Sequence, residues 1–178
     1  MRINQNNAIF VMIDIQEKFI PVIPDLDLII KNSSILNKSA EILGIPQIVT
    51  EQYPKGLGKT INTIYRSENA KIFEKNGFSI FNDEIKKHLI SLNKQILVLY
   101  GIEAHICLTQ TALDALKNSY NVYFVADAVS SRDLFSKEIA FRRLEQAGVK
   151  LVTTEMLLFE ILESSKHPNF KEISNLVK

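Results

Sequence analysis

A chain of 178 residues holds material for one well-buried domain, residues 1–178, and little room for a second. Hydrophobic residues at 46% against 23% charged exclude a disordered chain, and a formal net charge of +1 gives neither nucleic acid nor an anionic membrane a global attraction. One cysteine excludes an internal disulfide, no run approaches the ~20 apolar residues that cross a bilayer, and the polar start does not read as a secretory signal, so the expected location is cytoplasmic.

Ala8-Ile9-Phe10-Val11-Met12-Ile13 is nearly continuous in hydrophobicity, the pattern of a strand covered on both faces. From Leu26 to Leu43 apolar residues recur at helical spacing and stop at Gly44, with Pro46 just beyond. Gln47 to Thr50 reads as a second strand and Lys71 to Glu74 as a short third. Asn82 is a good N-cap for a helix reaching about Leu92. Gln95 to Tyr100 is another buried strand, ended by Gly101, and Ala104 to Lys117 carries Leu108, Ala112, Leu113 and Leu116 on one helical stripe. Val122 to Ala126 is a strand, Ser136 to Ala147 a helix, and Lys150 to Thr153 the last strand. Met156 to Leu162 and Pro168 to Val177 close the chain as helices.

This alternation implies βαβ units and an α/β fold: a parallel sheet, six strands by count, sandwiched between helices. Such sheets bind ligands beyond the carboxyl ends of their strands. There lie Asp14, Glu51, Gln52, Lys75, the Gly101–Cys107 stretch and Asp127. A cysteine becomes a strong nucleophile only as thiolate, and a helix N-terminus and a nearby ammonium both favour the anion. Cys107 in a first helical turn has the former, Lys75 is positioned to supply the latter, and Asp14 is a carboxylate able to accept the proton. Singly, each has a plainer reading: a buried cysteine acting as a small hydrophobe, a helix-capping aspartate, a solvated lysine.

The wording around them resembles a known family. Val11-Met12-Ile13-Asp14-Ile15-Gln16 is similar to the opening strand and catalytic aspartate of isochorismatase-like hydrolases. Phe73-Glu74-Lys75-Asn76-Gly77-Phe78-Ser79-Ile80-Phe81 resembles that family's lysine segment, and Gly101-Ile102-Glu103-Ala104-His105-Ile106-Cys107-Leu108 its nucleophile motif. Thr50 to Gly58 and Thr154 to Glu160 are similar to the branch of short isochorismatase-domain-containing proteins.

The resemblance implies a three-layer α/β/α sandwich with strand order 3-2-1-4-5-6 and a catalytic triad of Asp14, Lys75 and Cys107. It also implies a cis peptide bond between Ile102 and Glu103, with the backbone N–H groups of Glu103 and Cys107 as oxyanion donors. The implied activity is cysteine-dependent hydrolysis of a small amide, ester or related compound through a thioester. Phe19, Gln52, Tyr53, Phe78 and Ile106 are candidate pocket residues, and relatives of this kind form homo-oligomers. Nicotinamidases of the superfamily bind a metal through an Asp-x-His pair and a further histidine after the second strand. This chain has Glu51-Gln52-Tyr53-Pro54-Lys55 there, so no metal or other cofactor is expected and nicotinamide is disfavoured as substrate. Two alternatives stay open: a vinyl-ether hydrolase of the isochorismatase type, which keeps the aspartate and lysine but needs no cysteine, and a non-catalytic binding protein on the same scaffold.

Two near misses carry little. Tyr53 to Thr60 ends like a phosphate-binding loop, but Tyr53 stands where the first glycine is needed and Pro54 has no N–H. His105, two residues before Cys107, would face away from it on a regular helix.

Overall fold

The computed structural model describes residues 2–178. Six parallel strands form one sheet in the order β3-β2-β1-β4-β5-β6. They are β1 (Ala8–Ile13), β2 (Gln47–Gln52), β3 (Lys71–Lys75), β4 (Ile96–Ile102), β5 (Asn121–Ser130) and β6 (Lys150–Val152). Every residue of β1 and β4 is buried, as their unbroken apolar runs require of central strands. The edge strand β3 buries Phe73 and Lys75 and exposes Lys71, Ile72 and Glu74.

The helices are α1 (Leu26–Ile42), α2 (Pro54–Leu57), α3 (Asp83–Leu92), α4 (Thr109–Lys117), α5 (Leu134–Gln146), α6 (Thr154–Leu162) and α7 (Phe170–Leu176). α1 packs with α6 and α7 in one layer, and α4 packs with α5 in another. The caps are local chemistry: Asn82, Asp133 and Thr153 each accept a backbone N–H from the first turn of the helix they precede. The Asp133 cap starts α5 two residues before the expected Ser136. α7 begins at Phe170, since Pro168 is followed by a turn in which the Phe170 N–H bonds to the His167 carbonyl.

Three other departures bear on the site. β5 runs four residues past the expected Ala126, because the β4–β5 register shifts: Leu99 pairs with Phe124, but Gly101 pairs with Val129. Asp127 therefore lies within a strand rather than at its end. Its carboxylate accepts the Thr154 backbone N–H at 2.8 Å and hydroxyl at 3.0 Å, tying β5 to α6. Secondly, the helix expected from Ala104 opens as a π-helical turn, Ala104–Leu108, before α4 becomes regular. Thirdly, Gly101 is demanded by close approach. It has φ +122°, and a Cβ there would lie 2.1 Å from the Ile13 carbonyl oxygen.

The apolar core lies on both faces of the sheet, with Leu36, Ile48, Leu97 and Phe124 fully buried. Each such side chain contributes about 1.5–3 kcal/mol relative to exposure. One neutral polar cluster is buried in the same core. Tyr100 donates its hydroxyl to Asn37 Oδ1 at 2.5 Å, and Asn37 Nδ2 donates to the Tyr65 carbonyl at 2.7 Å. Gln47 donates to the Asn37 carbonyl at 2.5 Å.

Candidate active site

Asp14 directly follows β1, with φ +53° in the left-handed region, and its backbone N–H bonds to the Thr50 carbonyl at 3.1 Å. That turn brings its carboxylate back over the ends of β1 and β2, where it is 1% exposed. Oδ1 accepts the Thr50 hydroxyl at 2.7 Å and Oδ2 the Lys75 ammonium at 2.7 Å.

Lys75 is the last residue of β3, not the residue after it as expected, and its side chain is fully buried. Besides Asp14, the ammonium donates to Gln52 Oε1 at 2.7 Å, the Phe78 carbonyl at 2.9 Å and the Gly77 carbonyl at 3.2 Å. Taking two charges out of water costs several kcal/mol per ion, and mutual attraction offsets this only when the remaining donors and acceptors are satisfied. Both ions meet that condition. Replacing such a pair by apolar residues is often neutral or stabilising, so stability alone does not account for it.

Cys107 sits in the π-helical turn, a form of backbone found frequently at functional sites. The Glu103 carbonyl accepts the backbone N–H groups of both Ile106, at 3.2 Å, and Leu108, at 3.3 Å. Thr109 caps the turn by donating its hydroxyl to the Ala104 carbonyl at 2.7 Å. The Asp14 charge and the Lys75 ammonium both act on the Cys107 thiol, so the sulfur stands near the ion pair.

Its ionisation differs from the expectation. Burial first, and the Asp14 charge second, push the Cys107 thiol up to about 12, and Lys75 offsets only part of this. The thiol therefore rests protonated beside an ion pair. The ammonium does not make a standing thiolate here, because burial, joined by the Asp14 charge, outweighs it.

The Ile102–Glu103 peptide bond is cis. The Glu103 carboxylate, 4% exposed, accepts the Arg132 backbone N–H at 2.9 Å and faces the Arg132 Nε at 3.6 Å. His105 Nδ1 lies 2.9 Å from the Ser131 hydroxyl. These contacts tie the π-helical turn to the loop after β5, and the last gives His105 a partner other than Cys107.

A cleft of about 510 Å³ opens beside the ends of β2 and β3, with Tyr53, Lys55, Glu74, Lys75, Asn76 and Asn82 in its wall. Of the expected pocket residues, Tyr53 lines it. Phe19 and Ile106 pack half-buried against the core, and Phe78 is 52% exposed. Gln52 holds Lys75 and the Asn76 carbonyl rather than facing open space. Glu51 is bound by the backbone N–H and hydroxyl of Thr60, both at 2.8 Å, and by Lys59. Burial pushes its carboxyl up, but those hydrogen bonds outweigh it and hold the group below its ordinary range. Among the described residues no group of three or more His, Cys, Asp or Glu is arranged to hold a metal ion. No helix among them is long and apolar enough to cross a membrane.

Thr50 was legible as strand but not as part of the site. The signal lay in the parallel register, which pairs Thr50 with Ile13 and so sets its hydroxyl beside the next residue, Asp14.

Residues 8–156 match the family model described as the isochorismatase domain. A curated zebrafish (Danio rerio) relative, isochorismatase domain-containing protein 2, is 41% identical over 177 residues, covering 99% of this chain and 89% of its own. A solved Caenorhabditis elegans structure, described as the MAR1 ribonuclease, superimposes with a TM-score of 0.96 at 43% identity, covering 99% of this chain and 92% of that one. The Escherichia coli YcaC gene product, described as an octameric hydrolase of unknown specificity, shares the fold at a TM-score of 0.87 and 21% identity, covering 99% and 95%.

Proposed function

This chain belongs to the isochorismatase family, and we propose that it is a cysteine-dependent hydrolase of a small amide, ester or related compound. The observation that carries this reading is the buried Asp14–Lys75 pair, whose two charges act on the neutral Cys107 thiol. As the sulfur attacks the substrate carbonyl carbon, its proton passes to Asp14. The backbone N–H groups of Glu103 and Cys107 hold the oxyanion. Asp14 then gives that proton to the departing amine or alcohol as the tetrahedral adduct collapses to a thioester. Water attacks the thioester while Asp14 takes its proton, and the proton returns to sulfur when the acid leaves. Lys75 keeps the site charge balanced and fixes the carboxylate. The high thiol pKa suits this scheme, because proton transfer is then coupled to attack.

A second reading draws on the same observation: the Asp14–Lys75 pair is complete without the thiol, as a vinyl-ether hydrolase of the isochorismatase type would have it. One screen separates them. The protein and its Cys107→Ala variant are assayed on a panel of small amides and esters, an isochorismate-like vinyl ether and an RNA oligomer. Amide or ester turnover abolished in the variant is the expected outcome. Turnover that survives the substitution removes the covalent scheme, and turnover of RNA alone replaces the substrate class. The reading includes a cytoplasmic homo-oligomer of single-domain chains. Leu134, Phe135 and Ile139 of α5 support assembly, since they leave apolar surface exposed beside the nucleophile turn. Light scattering that returns a monomer would remove that part.

A further inference from the structure

We infer that Tyr53 is a substrate-binding residue whose ring is a platform for a flat, conjugated amide or ester, an inference that deepens the thiol-hydrolase reading and rests on it. Tyr53 directly follows β2 and lines the 510 Å³ cleft. Its backbone has φ +37° and ψ +65°, in the left-handed region. That conformation costs free energy for any residue with a Cβ and is best tolerated by asparagine and aspartate. Main-chain bonding holds it there. The Tyr53 N–H donates to the Lys75 carbonyl at 2.9 Å, and the Tyr53 carbonyl accepts the N–H groups of Gly56 at 2.9 Å and Leu57 at 3.0 Å. Those bonds serve any side chain equally. They account for the backbone and not for the ring.

The fold gains little from the ring either. Tyr53 is 54% exposed, so much of the free energy an aromatic side chain gains on burial is forgone. The ring is nevertheless seated. It rests on Gly56, where a Cβ would lie 2.5 Å from the ring carbon Cε1 and 2.6 Å from Cδ1. An aromatic ring set on bare backbone with half its surface open is a preformed contact surface. The cleft it lines also leads to the ion pair: Lys75 stands in the wall, and Gln52, the residue before Tyr53, accepts from the Lys75 ammonium at 2.7 Å. Offset or edge-to-face packing favours a conjugated ring on Tyr53 over a saturated one of the same size. Tyr53 therefore selects substrates whose scissile carbonyl is attached to a flat group.

The test is equilibrium binding. Benzamide and cyclohexanecarboxamide, matched in size, are titrated into the full chain carrying Cys107→Ala, and their dissociation constants are read by ligand-observed NMR. Benzamide is expected to bind about three- to tenfold more tightly. Adding Tyr53→Phe keeps that preference, whereas adding Tyr53→Asn, which suits the backbone, abolishes it while the circular dichroism spectrum stays unchanged. Gly56→Ala pushes the ring off its seat and reduces the preference with Tyr53 in place, and it carries the test should the Asn variant not fold. A preference as large without the ring as with it, no preference in the parent, or binding of neither amide overturns the inference. The two levels separate in one further assay. Amide or ester turnover by the Cys107→Ala protein ends the thiol reading and, with it, the assignment of the bound amide as substrate. Turnover that requires Cys107, beside a preference indifferent to Tyr53, removes the platform alone.

Discussion

Two buried polar clusters face different tasks in this molecule. Around Asn37, Tyr100 and Gln47 the groups are neutral, lie where α1 meets the sheet, and stitch α1 to β2, β4 and the segment at Tyr65. Around Asp14, Lys75 and Cys107 the groups are ionic or ionisable and gather at the strand ends. Fastening elements together needs only the first kind, which avoids the cost of desolvating ions. On the proposed function, the second kind stands where a proton has to move. Burial of polarity alone is thus a poor guide to function; the sign and mobility of the charge are better.

Breaking one ion sharpens the contrast most. Lys75→Met leaves the Asp14 carboxylate buried without its cation, and we expect a loss of about 3–5 kcal/mol in urea unfolding at neutral pH. Adding Asp14→Asn should restore most of that stability while hydrolysis stays absent. A single variant that unfolds at the wild-type urea midpoint would mean that the pair is not buried in solution. In the neutral cluster, Asn37→Ala strands the Tyr100 hydroxyl and the Tyr65 carbonyl. The expected loss is about 1–3 kcal/mol with Cys107 alkylation unchanged, so a changed alkylation rate would show that the two clusters communicate.

The smallest effect concerns pH. An unfolded Cys107 thiol ionises near its ordinary value of 9, but the folded one holds its proton up to about 12. Above the unfolded value the unfolded chain binds fewer protons, so stability attributable to this group is intact at neutral pH and falls as pH rises from 9 toward 12. Between pH 8 and 10 the loss should be about 1 kcal/mol, read as the difference in urea stability between wild type and Cys107→Ala. Equal pH dependence in the two proteins would place the thiol in contact with water.

Much of this was legible along the chain. The central strands announced themselves through unbroken apolar runs, and the end of the first helix and the start of α3 through Gly44, Pro46 and Asn82. The motifs nominated Asp14 and Lys75, which pair at 2.7 Å, and Cys107, on whose thiol both charges act. What escaped depends on neighbours distant in sequence. β5 continues beyond Asp127 because β4 offers it a shifted register, and no local pattern encodes the partner strand. Gln52 read as pocket lining because its side chain is polar and at a strand end, yet the adjacent β3 presents Lys75 to it.

By itself, then, the amino-acid order determined which segments are strands and helices and which side chains carry reactive chemistry, because periodicity, capping and functional groups are local properties. The tertiary structure alone decided the ionisation of Cys107, the tether of Thr50 on Asp14 and the occupation of Gln52. Each of these is a sum of short-range electrostatic and hydrogen-bond interactions between groups tens of residues apart, and it takes a value only once parallel register has fixed their separations.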